Sequence, residues 1–293
     1  MAVGSSDSIV LQASRSRLEL APALGGIVTG YRADGFDWLR RASPDPALAG
    51  KPAGFSCFPL IPYSDQVRDG AITFRGRRYV LSNGMPLARH GHSWRAPWRV
   101  MNRSDSSLEI EYRHNAGDWP SAYVARQAFS LGAHGFSVGL EVENVGREPM
   151  PCGMGLHPYF PRTPDVTVTA RVDGLWETDA ELFPARRIRP PADRDPGRGF
   201  LPGRVSIDSV FDGWDGEAVV EWPVLGRRLR MTASEPMRHL VIYSPPGADY
   251  FCVEPASNGT DAFNRAEEGL KDTGMIVLDP GQSVRGVVDF RTG

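Results

Sequence analysis

Alternation of apolar and polar residues is the dominant pattern along this chain. It recurs in the segments 108–112, 136–142, 166–170 and 284–290, where apolar side chains occupy every second position. Successive side chains of a β-strand point to opposite faces, so this period of two predicts half-buried strands. Glycine and proline, 32 and 25 residues, interrupt the chain too often for long helices, and the best helical candidate is the short stretch 260–268.

The turns between these segments predict how the strands are connected. The segment 74–80 (FRGRRYV) reads as a hairpin, because Gly76 stands where a tight turn between two strands favours glycine. No break in composition divides the 293 residues. The pattern therefore predicts an all-β fold, a large sandwich of mostly antiparallel strands, in one domain spanning residues 1–293.

Charge and composition narrow the range of partners. The formal net charge of −2 gives no electrostatic reason to expect nucleic acid or an anionic membrane surface. The segment 1–7 lacks the basic start and apolar stretch of a signal peptide, and no apolar run approaches the roughly 18 residues of a membrane span. We expect a cytoplasmic monomer or homodimer that binds a small molecule.

The three cysteines are Cys57, Cys152 and Cys252. Their number is odd, they are widely spaced, and their neighbours are apolar. This distribution predicts reduced thiols in the core rather than a disulfide framework or a zinc site.

Two segments far apart in the chain each place one titratable side chain in an apolar run. His157 lies in 155–160 (GLHPYF) and Glu254 in 251–258 (FCVEPASN). A histidine titrates near neutrality and burial can bring a glutamate toward it, so the two form a candidate acid and base that need no cofactor. A histidine beside a proline is often a structural residue. The acid–base hypothesis therefore depends more on Glu254, because burying a carboxylate without a partner is costly.

A third cluster of candidate residues surrounds His90 and His92. Two residues apart on an extended segment, they would face the same side and could chelate a metal with His157 and Glu254, as in a cupin-type oxygenase. This alternative is weakly supported, because no carboxylate follows His92 closely. Trp94 lies in a turn and is either core packing or a platform for the C–H face of a sugar ring.

One segment departs from the strand pattern: 184–204 is rich in arginine. Arginine forks match phosphate oxygens, but the interleaved aspartate, glycine and proline residues favour a solvated loop. No GxGxxG or GxxxxGK[ST] motif occurs, and the match to GxSxG at 135–139 (GFSVG) lies in an alternating strand segment and not at a nucleophile elbow, so nucleotide binding and serine hydrolysis lack their signatures. Histidines and carboxylates remain as the candidate chemistry.

The order and spacing of several motifs resemble the aldose 1-epimerase (galactose mutarotase) family. The resemblance covers about residues 10–290, nearly the whole chain. It is carried by 59–70 (PLIPYSDQVRDG), Phe74 and Gly76, His90-Gly91, 98–100 (WRV), 157–160 (HPYF), 208–213 (DSVFDG), 253–255 (VEP), 261–264 (DAFN) and 278–281 (LDPG).

This resemblance implies a β-supersandwich with a sugar cleft on one concave sheet, and an enzyme that needs no metal or redox cofactor. It also implies that Glu254 takes the proton of the anomeric hydroxyl and that His157 protonates the ring oxygen. The ring opens, the C1–C2 bond rotates, and closure on the other carbonyl face gives the opposite anomer. His90 and Asp208 would bind the sugar beside them.

The chain departs from the family at Asp65-Gln66, where the motif usually reads Asn-Arg and the arginine contacts substrate hydroxyls. Gln66 keeps hydrogen bonding but loses the charged fork, and Arg68, two residues on, is the expected substitute. Two alternatives remain beside a free-sugar epimerase. One is a hexose-6-phosphate 1-epimerase, if the 184–204 loop folds over the cleft, and the other is a catalytically idle sugar-binding protein.

Overall fold

The computed structural model describes residues 8–45, 48, 50–81 and 88–293, and strands dominate them. The segment 1–7, for which the sequence predicts no targeting signal, lies outside the described residues. All paired strands are antiparallel, as predicted. The eight-stranded sheet has the spatial order β15 (Thr167–Ala170), β19 (Glu217–Trp222), β20 (Arg227–Ala233), β24 (Ser283–Thr292), β12 (Gly135–Asn144), β11 (Tyr123–Gly132), β10 (Ser107–His114) and β9 (Arg99–Arg103).

Two further sheets complete the layers. The six-stranded sheet has the order β14 (Tyr159–Pro161), β22 (Tyr250–Ala256), β21 (His239–Ser244), β18 (Ile207–Asp212), β16 (Gly174–Thr178) and β17 (Pro184–Ile188). The four-stranded sheet consists of β1 (Ile9–Ala13), β2 (Ser16–Ala21), β3 (Ile27–Ala33) and β4 (Phe36–Asp37).

Short elements connect these sheets. Three two-stranded ribbons pair β5 (Gln66–Val67) with β8 (Ala88–Arg89), β6 (Ala71–Phe74) with β7 (Arg77–Val80), and β13 (Met150–Cys152) with β23 (Ile276–Leu278). The α-helix of the described residues is α1 (Ala262–Glu267). Single 3₁₀ turns occur at Pro22–Leu24, Pro52–Gly54, Arg68–Gly70, Ser93–Arg95, Pro196–Arg198 and Pro223–Leu225. No helix in the described part of the chain has the length and apolar character needed to cross a bilayer.

The periodic segments fold as predicted. The stretches 108–112, 136–142 and 284–290 lie inside β10, β12 and β24, 166–170 coincides with β15 within one residue, and α1 lies inside 260–268. The predicted hairpin is β6–β7, and its turn residues Arg75 and Gly76 have φ of 51° and 73°, as its two-residue turn requires.

One contiguous apolar core joins the three large sheets. It contains Val138 and Phe290 of the eight-stranded sheet, Phe211 of the six-stranded sheet, and Leu18 and Tyr31 of the four-stranded sheet. The three cysteines are free and buried, as predicted. The face of the six-stranded sheet near β14, β22, β21 and β18 carries the polar groups described next.

Candidate active site

A cleft of about 560 Å³ lies on the six-stranded sheet. Strands β18, β21 and β22 contribute Asp208, Val241, Tyr243, Tyr250 and Glu254. Strand β14 of the same sheet adds Tyr159, and β8 with neighbouring loops and 3₁₀ turns provides the rest of the described lining, namely Gly50, Lys51, Pro52, Ala53, Asp65, Arg89, His90, Trp94, Arg95 and His157.

His157 and Glu254 meet in this cleft, as predicted from two segments far apart in the chain. His157 Nε2 lies 3.2 Å from Glu254 Oε1, and the two residues are 5% and 2% exposed. The remaining polar atoms, His157 Nδ1 and Glu254 Oε2, are buried without a hydrogen-bond partner among the described residues. Such unsatisfied groups are costly and are typical of sites that a ligand completes.

Burial disfavours the charged form of each partner. It lowers the pKa of His157 to about 3. Burial also raises the pKa of Glu254 well above its ordinary value, and the nearby carboxyl groups of Asp65 and Asp208 raise it further. The pair is therefore poised to share one proton, held as neutral imidazole with carboxylic acid or as imidazolium with carboxylate.

Aromatic side chains fix the His157 ring. Phe58 and Tyr159 both stack on it, with ring centroids 4.6 and 4.7 Å away. The His157 backbone N–H donates to the Phe58 carbonyl over 2.9 Å. Glu254 is held by β22, which pairs with a strand on either side, and the register places Glu254 opposite Val241 of β21. Both reacting groups thus stand on rigid supports.

His90 lines the same cleft, with its ring centroid 5.1 Å from that of His157. Its Nδ1 accepts a hydrogen bond from the Asp65 backbone N–H over 3.2 Å. Burial lowers the pKa of His90 well below its ordinary value, so the ring is neutral and its proton resides on Nε2. His90 is therefore a hydrogen-bond donor to whatever occupies the cleft.

Two further carboxyl groups line the cleft. The Asp208 side chain is exposed to solvent in the cleft. The protein atoms around it displace part of its water, and this desolvation, together with the charge of Asp65, raises the pKa of Asp208 to about 6. Asp65 accepts a hydrogen bond from Thr260 and another, over 2.8 Å, from the backbone N–H of Gln66. Burial raises the pKa of Asp65 as well.

Gln66 and Arg68, expected at the sugar, do not line this cleft. The Gln66 side chain is 1% exposed and is enclosed by the Leu182 carbonyl and Arg89. Arg68 lies in a separate surface depression, where it pairs with Asp179 and Glu181 at 2.8 Å each. The expectation that Arg68 replaces the family arginine is corrected, because Arg68–Gly70 forms a 3₁₀ turn and not an extended segment.

Arg89 supplies the cleft with a guanidinium that the sequence analysis missed. It is the last residue of β8 and the register partner of Gln66 in β5. The available signal was its position directly before His90, but the pairing of two two-residue strands cannot be read from periodicity.

Trp94 lines the cleft but is only 4% exposed. It packs against Phe55 and Phe58 at centroid distances of 6.1 and 5.5 Å, and the Arg95 guanidinium lies 4.4 Å from its ring. Trp94 therefore acts mainly as wall packing and offers little of its face to the cleft.

His92 does not share the cleft with His90, which corrects the shared-face expectation. Its Nε2 lies 2.6 Å from the Tyr123 hydroxyl, and its ring packs at a tilt of 31° against His114, with ring centroids 4.0 Å apart. His90 and Gly91 have φ of 61° and 65°, so the segment is not extended and the two histidines diverge. The His90/His92 metal site loses its geometric basis.

A different set of atoms could coordinate a metal. Ligand atoms of His157, Cys252 and Glu254 lie within 4.8 Å of one another. Burial raises the pKa of the Cys252 thiol well above its ordinary value, so a metal would have to displace its proton. The arrangement suits proton transfer between His157 and Glu254 without that exchange.

Comparison with known proteins identifies the family. The sequence model of the aldose 1-epimerase family matches residues 7–291, and the chain belongs to this family. The uncharacterized protein YphB of Escherichia coli K12 is 31% identical over 278 residues, which cover 91% of this chain and 92% of YphB.

Solved structures confirm the β-supersandwich fold. A protein of Escherichia coli K12, itself only provisionally described as an aldose 1-epimerase, has a TM-score of 0.88 at 28% identity over 98% of both chains. A galactose mutarotase-like protein of Clostridium acetobutylicum has a TM-score of 0.87 at 20% identity, over 98% of this chain and 95% of its own. At that identity the second likeness concerns the fold alone.

Proposed function

We propose that this protein interconverts the α and β anomers of a free sugar by acid–base opening of the hemiacetal ring. The observation that carries the proposal is the 3.2 Å contact between His157 Nε2 and Glu254 Oε1 in a sugar-sized cleft. Membership of the aldose 1-epimerase family supports it. Opening a hemiacetal requires a base at one oxygen of the O–C–O group and an acid at the other, and these two residues supply them.

The proton transfers balance over one cycle. The Glu254 carboxylate takes the proton of the C1 hydroxyl while the His157 imidazolium gives its proton to the ring oxygen, and the C1–O5 bond breaks. Rotation about C1–C2 presents the other carbonyl face. His157 then removes the proton from the O5 hydroxyl, Glu254 returns a proton to the carbonyl oxygen, and the ring closes as the opposite anomer.

The resting pair stores the single proton that this cycle needs. Burial favours the neutral form, with the proton on Glu254. A sugar entering the cleft offers hydroxyl groups to the unpartnered Glu254 Oε2, to the His90 Nε2–H and to Asp208. These hydrogen bonds stabilise the carboxylate and so favour the imidazolium–carboxylate form that starts the reaction.

The alternative of a hexose-6-phosphate 1-epimerase depended on the arginine-rich segment 184–204 folding over the cleft, and the structure does not place it there. The 184–204 segment begins with strand β17 (Pro184–Ile188) and not with the predicted loop, and two of its arginines are engaged away from the cleft: Arg186 pairs with Glu177 at 2.6 Å and Arg187 with Asp212 at 2.7 Å. No residue of this segment is part of the described lining of the cleft. The proposed substrate is therefore an unphosphorylated aldose.

The test is proton exchange NMR spectroscopy on a panel of free hexoses and pentoses, with a hexose 6-phosphate as the matched charged probe. We expect enzyme-dependent exchange between the anomeric signals of at least one free sugar, above the spontaneous rate. Exchange of the 6-phosphate alone would move the assignment to a sugar-phosphate epimerase. Sugar binding without exchange at any pH would identify an idle binding protein and overturn the proposal.

A further inference from the structure

Arg89 and Gln66 form a linked pair at the edge of the cleft. They are register partners on β8 and β5, so their side chains lie on the same face of the ribbon. Arg89 Nη2 donates to Gln66 Oε1 over 2.7 Å, and Gln66 Nε2 donates to the Leu182 carbonyl over 2.9 Å. A buried neutral amide thus anchors one of the five N–H donors of the guanidinium.

The groups around Glu254 oppose its ionisation. Asp65 and Asp208 carry like charge and raise its pKa beyond the effect of burial. The thiols of Cys57 and Cys252 are neutral at pH 7, because burial raises the pKa of each. The phenol of Tyr159 is neutral for the same reason, so it supplies no charge either.

Arg89 is the cation that counteracts these carboxyl groups. Arg89 lines the same cleft as Asp65, Asp208 and Glu254, and it lowers the pKa of all three carboxyl groups. His157 and His90 are neutral at pH 7, because burial lowers the pKa of both.

Three other cations lie nearby. Arg40 lies over the rings of Tyr159 and Tyr250 and donates to the carbonyls of Ala53 and Phe55. Lys51 and Arg95 also line the cleft.

We propose that Arg89, held in place by Gln66, is a positioning residue whose charge offsets the Asp65–Asp208 carboxyl pair and keeps Glu254 available as the base. The inference rests on the proposed epimerase function and deepens it. It explains how a site with three clustered carboxyl groups operates near neutral pH. It also accounts for the glutamine at position 66: a second guanidinium there would face Arg89 directly.

The test is the pH profile of kcat/KM for wild-type protein, Arg89→Met and Arg89→Lys. Loss of the guanidinium should move the acid limb of Arg89→Met to higher pH by about 1 unit, the low end of the roughly 1–3 units by which a nearby opposite charge shifts the pKa of a carboxyl group. Arg89→Lys keeps a positive charge, so its acid limb should lie between those of the wild-type protein and Arg89→Met. Asp208→Asn should move the limb to lower pH, because it removes a like charge, although sugar binding weakens as well. An unmoved limb in folded Arg89→Met would overturn the proposal.

A second measurement does not depend on turnover. Carbon NMR titration of the Glu254 carboxyl group, assigned by comparison with Glu254→Gln, reports its ionisation directly. We expect its midpoint to rise in Arg89→Met, and an unchanged midpoint contradicts the role given to Arg89. If the wild-type protein exchanges no sugar but this midpoint still shifts, the proposed function fails while the electrostatic inference stands.

Exchanging the side chains of Gln66 and Arg89 tests whether the hydrogen bond between them holds Arg89 in place. Gln66→Arg alone should lose stability and activity, because it places a second cation against Arg89 in a site that is 1% exposed. The double variant Gln66→Arg/Arg89→Gln keeps one guanidinium and one amide and should recover part of both. A double variant no better than the sum of the single variants contradicts the pairing.

Discussion

Two buried glutamates in this protein have opposite electrostatic surroundings. Glu254 in the cleft is 2% exposed and Glu111 on the eight-stranded sheet is 5% exposed. Burial raises the pKa of both groups, but at Glu111 the guanidinium groups of Arg113 and Arg126 outweigh it and the net pKa is lowered. At Glu254 the neighbouring carboxyl groups add to burial, and the pKa is raised.

The hydrogen bonding of the two sites differs in the same way. Glu111 accepts from Arg113 at 2.9 Å, Arg126 at 3.2 Å and Arg99 at 3.4 Å. Glu254 has the neutral His157 ring at 3.2 Å and an Oε2 atom without a partner among the described residues. A satisfied buried carboxylate stabilises the fold, whereas an unsatisfied one is available for chemistry.

The largest expected difference between the two glutamates is in activity. Glu254→Gln keeps the shape and removes the proton acceptor, so anomer exchange should fall at least about a hundredfold. The matched control, Glu111→Gln, should stay within about twofold of wild type because it lies outside the cleft. Both variants are checked by circular dichroism and NMR exchange rates. Near-normal exchange in folded Glu254→Gln would remove Glu254 from the mechanism.

The second prediction separates proton donation by His157 from sugar binding. His157→Asn should lose exchange by a similar factor and still bind sugar, because His90 and Asp208 retain their contacts and the Phe58 and Tyr159 walls remain. Equilibrium binding of a non-exchanging sugar analogue measures this. Loss of fold and binding together in His157→Asn would assign His157 a structural role instead.

The sequence predicted the fold well because its information is local. Alternation located β10, β12 and β24, and glycine located the β6–β7 turn. The site was predicted in part: His157, Glu254, His90, Asp208 and Trp94 all line the cleft.

The misplaced residues depend on backbone geometry that periodicity does not encode. His92 diverges from His90 because two successive residues have positive φ. Arg68 turns away because it begins a 3₁₀ turn. Arg89 enters the cleft through strand pairing across a separation of 23 residues in sequence, which no local pattern reveals.

A smaller effect is expected on stability at neutral pH. Glu111→Gln replaces the carboxylate shared by three arginines with a neutral amide that has a single acceptor oxygen, and the arginine side chains, which are 68%, 64% and 36% exposed, can regain water. We expect a loss of about 1–2 kcal/mol in the free energy of unfolding, because charged hydrogen bonds are lost but no cation is left fully buried. Glu254→Gln should be neutral or stabilising in the same urea titration. A greater loss in Glu254→Gln would reverse the comparison.

The smallest effect is the pH dependence of these stability differences, and its sign differs between the two sites. The folded-state pKa of Glu111 lies below its unfolded value, so its network stabilises above the unfolded pKa and loses this contribution as pH falls through the folded one. The deficit of Glu111→Gln should therefore shrink on acidification. The folded-state pKa of Glu254 lies above its unfolded value, so its ionisation costs stability as pH rises, and any gain of Glu254→Gln should grow toward high pH. Urea titrations across the acid and neutral range measure both slopes. Parallel slopes would mean that the two glutamates experience the same environment, contrary to their hydrogen bonding.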